Sequence, residues 1–171
     1  IFFDLSHEEL DLGRLVHWSQ GSLSERWNGS FEDSTSELRN RFIKAVKWQM
    51  RSDRPIAFAL SGGIDSSAIV CVARLLYPDM PIHTFSYVGL GDSSSEEHWI
   101  DLVNDHVGAI SHKVYASSGN RDSIENFVYR QGEPVNNSHF FAQYLVFQAA
   151  SSAGFPVVLE GQGADEILGG Y

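Results

Sequence analysis

The stretch of sequence that decides the fold is Ile56-Ala57-Phe58-Ala59-Leu60-Ser61-Gly62-Gly63-Ile64-Asp65-Ser66-Ser67. Its first five residues are apolar throughout, which is typical of a strand covered on both faces, as in a parallel sheet. A turn with two adjacent glycines follows, and apolar residues then recur at helical spacing from Ala68 to Leu76, before Pro78. The stretch therefore predicts a buried strand that runs through a tight turn into a helix.

The rest of the chain continues this alternation of strand and helix. Further strands are predicted near residues 82–87, 111–115 and 157–160, and further helices near residues 34–53, 96–107, 124–128 and 140–148. The first of these helices has the pattern of a capping box, in which Ser34 is followed three residues later by Glu37. The order of the elements predicts an α/β fold with three layers, α/β/α, around a mainly parallel sheet.

Composition and charge restrict the classes of protein to which the chain can belong. Its 171 residues suit one domain with one hydrophobic core, and its net charge of −10 argues against nucleic acid bound on a broad basic face. Cys71 is the single cysteine, so no disulfide forms within the chain, which is compatible with a cytoplasmic protein. No apolar run approaches the roughly 20 residues that a membrane span needs. We expect a cytoplasmic protein without nucleic-acid or membrane partners.

The turn between the predicted strand and helix has the properties of an anion-binding site. Gly62 and Gly63 lack Cβ atoms, so the backbone can approach an anion closely. The N–H groups at a helix start are unpaired, and the helix dipole favours negative charge there. Ser61, Ser66 and Ser67 add hydroxyl donors. Because ligands of α/β sheets bind beyond the carboxyl ends of the strands, the turn is predicted to hold a phosphate group.

Asp65 is the one acidic residue of this turn, and its carboxylate would repel a phosphate unless a cation lay between them. It therefore indicates Mg²⁺ held between Asp65 and the phosphates. The alternative is an acidic residue that only stabilises the N-terminus of the helix. The turn is not a Walker A loop, because it lacks the lysine that follows the second glycine of that motif.

Two motifs of the chain resemble those of known families. Residues 61–67 resemble the Ser-Gly-Gly-x-Asp-Ser loop of the ATP-pyrophosphatase superfamily. Residues 161–171, Gly-Gln-Gly-Ala-Asp-Glu-Ile-Leu-Gly-Gly-Tyr, resemble a segment of the asparagine synthetase B family. The resemblance implies the adenine nucleotide alpha hydrolase-like fold of the PP-loop ATPases. It also implies an amide-forming synthetase, which cleaves ATP between the α and β phosphates, adenylates a carboxylate and transfers the acyl group to ammonia or an amine.

The resemblance also implies roles for individual residues. Asp165 matches the second magnesium-binding aspartate of the family, so Asp65 and Asp165 are the predicted metal ligands and catalytic residues. Glu133 and Glu166 are candidates for substrate contacts, and each also fits a solvated turn. The phosphates and adenosine of ATP are expected to contact residues at the strand ends, namely Leu60, Ser61, Gly62, Gly63, Asp65, Ser66, Ser67, Ser86 and Gly161.

The chain departs from the family at two positions of the second motif. Gln162 stands where asparagine synthetases usually carry a glutamate that assists proton transfer and aspartate handling, and Glu160 replaces a common small residue. A glutamine side chain cannot act as a base. Gln162 is kept as a candidate catalytic position, and its presence puts asparagine itself in doubt as the product.

The resemblance further predicts neighbouring domains and partners. Phe3-Asp4-Leu5 resembles the junction that follows the family's glutaminase domain. Because the chain starts at Ile1, we interpret residues 1–33 as a linker or packing segment that follows the glutaminase domain. We interpret residues 34–171 as an ATP-pyrophosphatase synthetase domain truncated at its C-terminus, because the family's catalytic lysine would lie beyond Tyr171. The expected partners are a small carboxylate, ammonia or an amine, the glutaminase domain and a second copy of the chain in a homodimer.

Two other hypotheses account for the same motifs. The first is a different ATP-pyrophosphatase, such as a tRNA-modifying enzyme, against which the second motif and the acidic charge both argue. The second is a degenerate relative that binds nucleotide without turnover, which Gln162 keeps open. Binding of ATP with Mg²⁺ and release of AMP distinguish a synthetase from the degenerate relative.

Overall fold

The computed structural model describes residues 28–89, 96–115, 121–133 and 138–169. The chain forms two compact units, Ile1–Asn40 and Arg41–Tyr171. The predicted junction at residues 3–5 and the last two residues of the second motif lie outside the described residues. No helix in the described part of the chain is long and apolar enough to cross a membrane.

Strands and helices alternate along the chain in the predicted order. The strands are β1 (Ile56–Ala59), β2 (His83–Val88), β3 (Ile110–Tyr115) and β4 (Val157–Leu159). The helices are α1 (Phe31–Gln49), α2 (Ile64–Leu76), α3 (Glu97–Val107), α4 (Arg121–Gln131), α5 (Ser138–Ser152) and α6 (Ala164–Leu168). The strand, turn and helix predicted from residues 56–76 are confirmed as β1, the connecting turn and α2.

The four strands form one parallel sheet in the order β3-β2-β1-β4. The chain moves outward from β1 to β2 and β3, and then returns to the other side of β1 to form β4. Phe58 is in register with Thr84 of β2 and with Leu159 of β4. The reversal places a topological switch point between β1 and β4, and ligands of open α/β sheets bind beyond the carboxyl ends of strands at such a point.

Helices cover both faces of this sheet. On one face, Phe58 and Ile82 pack with residues of α2 and α3, among them Val70 and Ile100. On the other face, Ala57 and Phe85 of the sheet pack with Val146 and Ala150 of α5. The predicted three-layer α/β/α arrangement around a parallel sheet is therefore confirmed, and it explains why β1 is apolar at successive positions.

The capping box of α1 lies four residues before the predicted one. The backbone N–H of Asp33 donates to Ser30 Oγ at 3.1 Å, and the N–H of Ser30 donates to Asp33 Oδ2 at 3.2 Å. Ser34 is already inside the helix, and its hydroxyl donates to the carbonyl oxygen of Ser30 at 2.7 Å. The prediction that Ser34 and Glu37 start the helix is wrong, because the helix begins one turn earlier, where Ser30 and Asp33 satisfy its free backbone groups.

Arg74 joins the C-terminal ends of α2 and α3. Its Nε donates to the carbonyl of Val107 at 2.7 Å, and its Nη1 donates to the carbonyls of Pro78 and Met80. We expect Arg74→Gln to lower the free energy of unfolding in urea by about 2–4 kcal/mol, because several charge-assisted hydrogen bonds are lost. The same substitution at exposed Arg51 should cost less than about 0.5 kcal/mol. Equal small effects at the two positions would contradict this role.

A pair of stacked histidines makes the stability of the fold depend on pH. His83 Nδ1 lies 3.0 Å from His112 Nε2, and the ring of His112 stacks on Phe85 with centroids 4.3 Å apart. Burial, and then the charge of His112, lower the pKa of His83 below its ordinary value of 6.5. The folded chain therefore binds this proton less readily than the unfolded chain does.

Acidification is accordingly expected to destabilise the fold. The contribution of His83 to the free energy of unfolding is complete above pH 6.5, which is its pKa in the unfolded chain. This contribution is lost as the pH falls from there towards the lowered pKa of the folded chain. Urea unfolding at about pH 7.5 and about pH 5.5 measures the change, and the comparison variant is His83→Gln, which removes this proton-binding group. If the variant loses as much stability on acidification as the unmodified chain, the effect does not come from His83.

Candidate functional site

A cavity of about 530 Å³ opens at the carboxyl ends of the strands. Its walls come from the end of β1 and the turn after it, from β2, from α5 and from the segment that follows β4. The lining residues are Ala59, Leu60, Ser61, Gly63, Asp65, Ser66, Phe85, Tyr87, Glu96, His139, Phe140, Ala142, Gln143, Val146, Glu160, Gly161, Gln162 and Asp165. The cavity therefore lies at the switch point between β1 and β4, where a ligand is expected.

Hydrogen bonds within the turn after β1 hold its backbone in one conformation. Ser66 Oγ accepts a hydrogen bond from the N–H of Ser61 at 3.2 Å and donates one to the carbonyl of Gly63 at 3.2 Å. The hydroxyls of Ser61 and Ser66 lie 3.0 Å apart, and the N–H of Gly63 donates to Ser61 Oγ at 3.3 Å. Ser61 and Ser66 thus stabilise the turn by hydrogen bonds within it, and their hydroxyls are also possible donors to a ligand.

The start of α2 presents unpaired backbone donors to this cavity. Gly63 is the N-cap residue, and no side chain caps the helix. Asp65 lies in the first turn, half-buried at the cavity wall. Because the first N–H groups of a helix have no partner within it, they and the helix dipole suit a bound phosphate.

Gly62 fits this turn against the start of α3. Its φ of +85° lies in the left-handed region, and a Cβ atom there would lie 3.0 Å from Cβ of Trp99 and 3.2 Å from the backbone N of Ile100. Only glycine combines this backbone conformation with this close approach. The structure therefore supports a packing role for Gly62, which does not itself line the cavity.

The two motifs meet at Gly161. A Cβ atom on this residue would lie 3.0 Å from Cβ of Asp65, 3.0 Å from the backbone N of Ser66 and 3.2 Å from the carbonyl carbon of Asp65. The segment after β4 therefore rests directly on the first turn of α2. Asp165, in the short helix α6, lines the same cavity as Asp65.

Comparison with known proteins places the chain in a family. The profile of the asparagine synthase family matches residues 37–171, which include both motifs. The chain belongs to the asparagine synthase family. A putative glutamine-hydrolysing asparagine synthetase 2 of Methanocaldococcus jannaschii is 36% identical over 136 residues, and asparagine synthetase 3 of Bacillus subtilis is 31% identical over 162 residues. These matches cover 79% and 86% of the chain and 26% of each relative, so the chain spans about a quarter of the length of these relatives.

Solved structures show the fold of this asparagine synthase family member in two other proteins. The NH₃-dependent NAD synthetase of Campylobacter jejuni matches with a TM-score of 0.51 and 15% identity, over 84% of this chain and 61% of that one. A U34-tRNA thiolase of Methanococcus maripaludis matches with a TM-score of 0.53 and 16% identity, over 75% of this chain and 48% of that one. The predicted adenine nucleotide alpha hydrolase-like fold is confirmed.

Asp65 and Asp165 fit a magnesium ion. Two carboxylates that line one cavity match the way in which Mg²⁺ is usually bound, by one or two carboxylates together with water and substrate phosphates. Among the described residues, no group of three His, Cys, Asp or Glu side chains converges as a metal site. Nor does a lysine or arginine line the described part of the cavity.

Five of the predicted contact residues do not line the cavity: Gly62, Ser67, Ser86, Glu133 and Glu166. Ser86 is almost fully buried, on the face of β2 that turns away from the lining residues Phe85 and Tyr87. Glu133 and Glu166 are both exposed, and neither lines the cavity. The side chain of Ser86 points away from the cavity, because alternate residues of a strand point to opposite faces. The adenosine contact expected at Ser86 concerns its backbone and stays a prediction.

Ser67 and Leu60 take positions different from those of the other turn residues. The hydroxyl of Ser67 is buried and has no hydrogen-bond partner within the described residues, as is true of Ser86. The side chain of Leu60 packs into the core, and its N–H donates to the carbonyl of Phe85 at 3.0 Å. Leu60 can therefore offer only its remaining backbone atoms to a ligand in the cavity.

The sequence left open whether Gln143 and Tyr144 of α5 line a pocket, and the structure places Gln143 at the cavity. Gln143 Nε2 donates to Glu160 Oε2 at 2.8 Å, and both residues line the cavity together with His139. Apolar residues occur on all sides of α5, so its pattern does not show which face meets the sheet. One signal was available: Glu160 is an acidic residue directly after an apolar strand, where ligands of such sheets bind.

Proposed function

We propose that the protein containing this chain is an ATP-dependent, AMP-forming synthetase, which adenylates a carboxylate with release of pyrophosphate and transfers the acyl group to ammonia or an amine. The observation that carries the proposal is the close approach of Gly161 to Asp65 and Ser66, which joins the two family motifs in one cavity. Membership of the asparagine synthase family supports the same reaction class.

The chain's own residues would act mainly by binding and orienting the triphosphate. The N–H groups at the start of α2 would donate to phosphate oxygens, together with the hydroxyl of Ser61. Because hydrogen bonds already hold Ser61, Gly63 and Ser66, these donors need little rearrangement when charge develops on the leaving pyrophosphate. Backbone atoms of Leu60 and Gly161 would contact the adenosine at the switch point.

Asp65 and Asp165 would hold Mg²⁺ against the phosphates. When bound, the ion would neutralise charge on the pyrophosphate as it leaves. Without it, four lining carboxylates, Asp65, Glu96, Glu160 and Asp165, would oppose an anionic nucleotide. We further propose that ammonia comes from a glutaminase domain of the same protein and that this synthetase acts in the cytoplasm as a homodimer.

Exchange of labelled pyrophosphate into ATP by the full-length protein tests the proposed reaction. The assay contains Mg²⁺ and a panel of amino acids and dicarboxylates, and a parallel assay contains excess chelator. We expect exchange that requires both Mg²⁺ and one carboxylate of the panel, and calorimetry should show ATP binding that requires Mg²⁺. Absence of exchange with every carboxylate, together with absence of ATP binding, would overturn the proposal.

A further inference from the structure

Glu160 is a cavity residue whose carboxylate is held in place by α5. It follows β4 directly, is half-buried and accepts a hydrogen bond from Gln143 Nε2 at its Oε2 atom, at 2.8 Å. Both side chains line the cavity that the two motifs form. An amide donor on one oxygen orients the carboxylate and leaves Oε1 with capacity to accept a proton.

The other acidic residues of the cavity differ from Glu160 in their surroundings. Asp65 and Asp165 are the candidate metal ligands. Asp65 lies in the first turn of α2, where it packs against Gly161. Glu96 is exposed at the start of α3. Glu160 is thus the lining carboxylate that is both partly withdrawn from solvent and fixed by a hydrogen bond from a second element. A catalytic base needs this combination of position and orientation.

The neighbouring residue Gln162 cannot perform this task. It lines the same cavity on the other side of Gly161, and its amide does not accept a proton as a carboxylate does. The second step of the proposed reaction nevertheless releases a proton, because an amine nitrogen that forms an amide bond must lose one. The chemistry therefore requires a proton acceptor beside the acyl group. Among the described lining carboxylates, Glu160 lies two positions before Gln162 in the chain and is the one held by a hydrogen bond from α5.

We propose that Glu160 is the general base of the amide-forming step and that Gln143 is the residue that positions it; this inference rests on the proposed function. The amine nitrogen attacks the carbonyl carbon of the acyl-adenylate and a C–N bond forms. The proton on nitrogen passes to Glu160 Oε1. The C–O bond to the phosphate then breaks, AMP leaves with the electron pair, and Glu160 later returns the proton to water.

The test separates the two half-reactions in the full-length protein. The carboxylate is the one that supports pyrophosphate exchange, and the nucleophile is ammonium chloride or hydroxylamine. In Glu160→Gln we expect amide formation from ammonium to fall by about 100-fold or more, while exchange changes by less than about three-fold. The defect should be smaller with hydroxylamine, because its electron-withdrawing hydroxyl group makes the nitrogen of the tetrahedral adduct more acidic, so that this nitrogen loses its proton to water more readily. Gln143→Leu should lower kcat for amide formation about ten-fold, with less change in KM for ammonium.

Each result has a defined meaning. Equal loss of both half-reactions in Glu160→Gln, or undiminished amide formation, overturns the role of Glu160. His139 lines the same cavity, so His139→Gln is made in parallel. If that variant loses amide formation while Glu160→Gln retains it, the proposal is also overturned. Absence of exchange in the unmodified protein contradicts the proposed function instead.

Discussion

Replacement of Asp65 by asparagine is expected to reduce Mg²⁺-dependent pyrophosphate exchange by about 1,000-fold, the range found when a charge-stabilising group is removed from an active site. Asparagine keeps the shape of the side chain but removes its charge. The carboxylate lies in the first turn of α2, at the wall of the cavity. If it binds the metal, calorimetry should also show that Mg²⁺ no longer strengthens ATP binding, because the ligand that bridges ion and helix is lost.

The alternative role of Asp65 predicts a different result. An acidic residue that only stabilises a helix start contributes about 0.3–1 kcal/mol to stability and nothing to the effect of Mg²⁺ on ATP binding. The matched control is Asp79→Asn, an exposed position in the connection between α2 and β2 that does not line the cavity. If Asp65→Asn and Asp79→Asn behave alike in exchange, Asp65 is not a metal ligand.

Replacement of Gly161 by alanine is expected to lower pyrophosphate exchange by about 100-fold, the effect of misplacing a site by about 1 Å. The added Cβ atom would lie 3.0 Å from both Cβ of Asp65 and the backbone N of Ser66. Both neighbours belong to the start of a helix, so the segment after β4 must move away. That movement would separate Asp165 from Asp65, while the buried core of the sheet stays intact.

Gly89→Ala is the control for this prediction. A Cβ atom there would meet nothing within 4 Å, and its φ is not in the left-handed region. The free energy of unfolding should fall by about 1–3 kcal/mol in Gly161→Ala, as expected for an overpacked contact, and change little in Gly89→Ala. Normal exchange in Gly161→Ala would show that the two motifs need not touch for the reaction, and the proposed site would then be wrong.

The sequence predicted correctly those elements whose conformation is set by residues close to them along the chain. Residues 56–76 combine an apolar strand, two glycines and a helical pattern, and each of these signals acts within a few residues. The helix predicted near residues 96–107 is a similar case, since α3 ends at Gly108, whose φ is +61°. These parts of the fold agree with the prediction because local propensity and tertiary packing favour the same conformation.

Other features could not be predicted because the sequence admits two solutions. Ser30 with Asp33 and Ser34 with Glu37 both fit a capping pattern. The first pair caps the helix in the structure, where α1 begins at Phe31. Residues 164–168, where the sequence predicted no helix, form the short helix α6. Both faces of β2 carry buried residues, so its pattern did not show that Ser86 points away from the cavity.

By itself, the sequence determined the turn between β1 and α2 that is predicted to hold a phosphate, because its glycines, hydroxyls and helix start are contiguous. Only the tertiary structure decided which distant residues join it. Pairing of β4 with β1 brings Gly161 onto Asp65, and packing of α5 on the other face brings Gln143 to Glu160. These contacts depend on strand order and on the helix face that meets the sheet, and both are set by burial of the whole core, which no local pattern specifies.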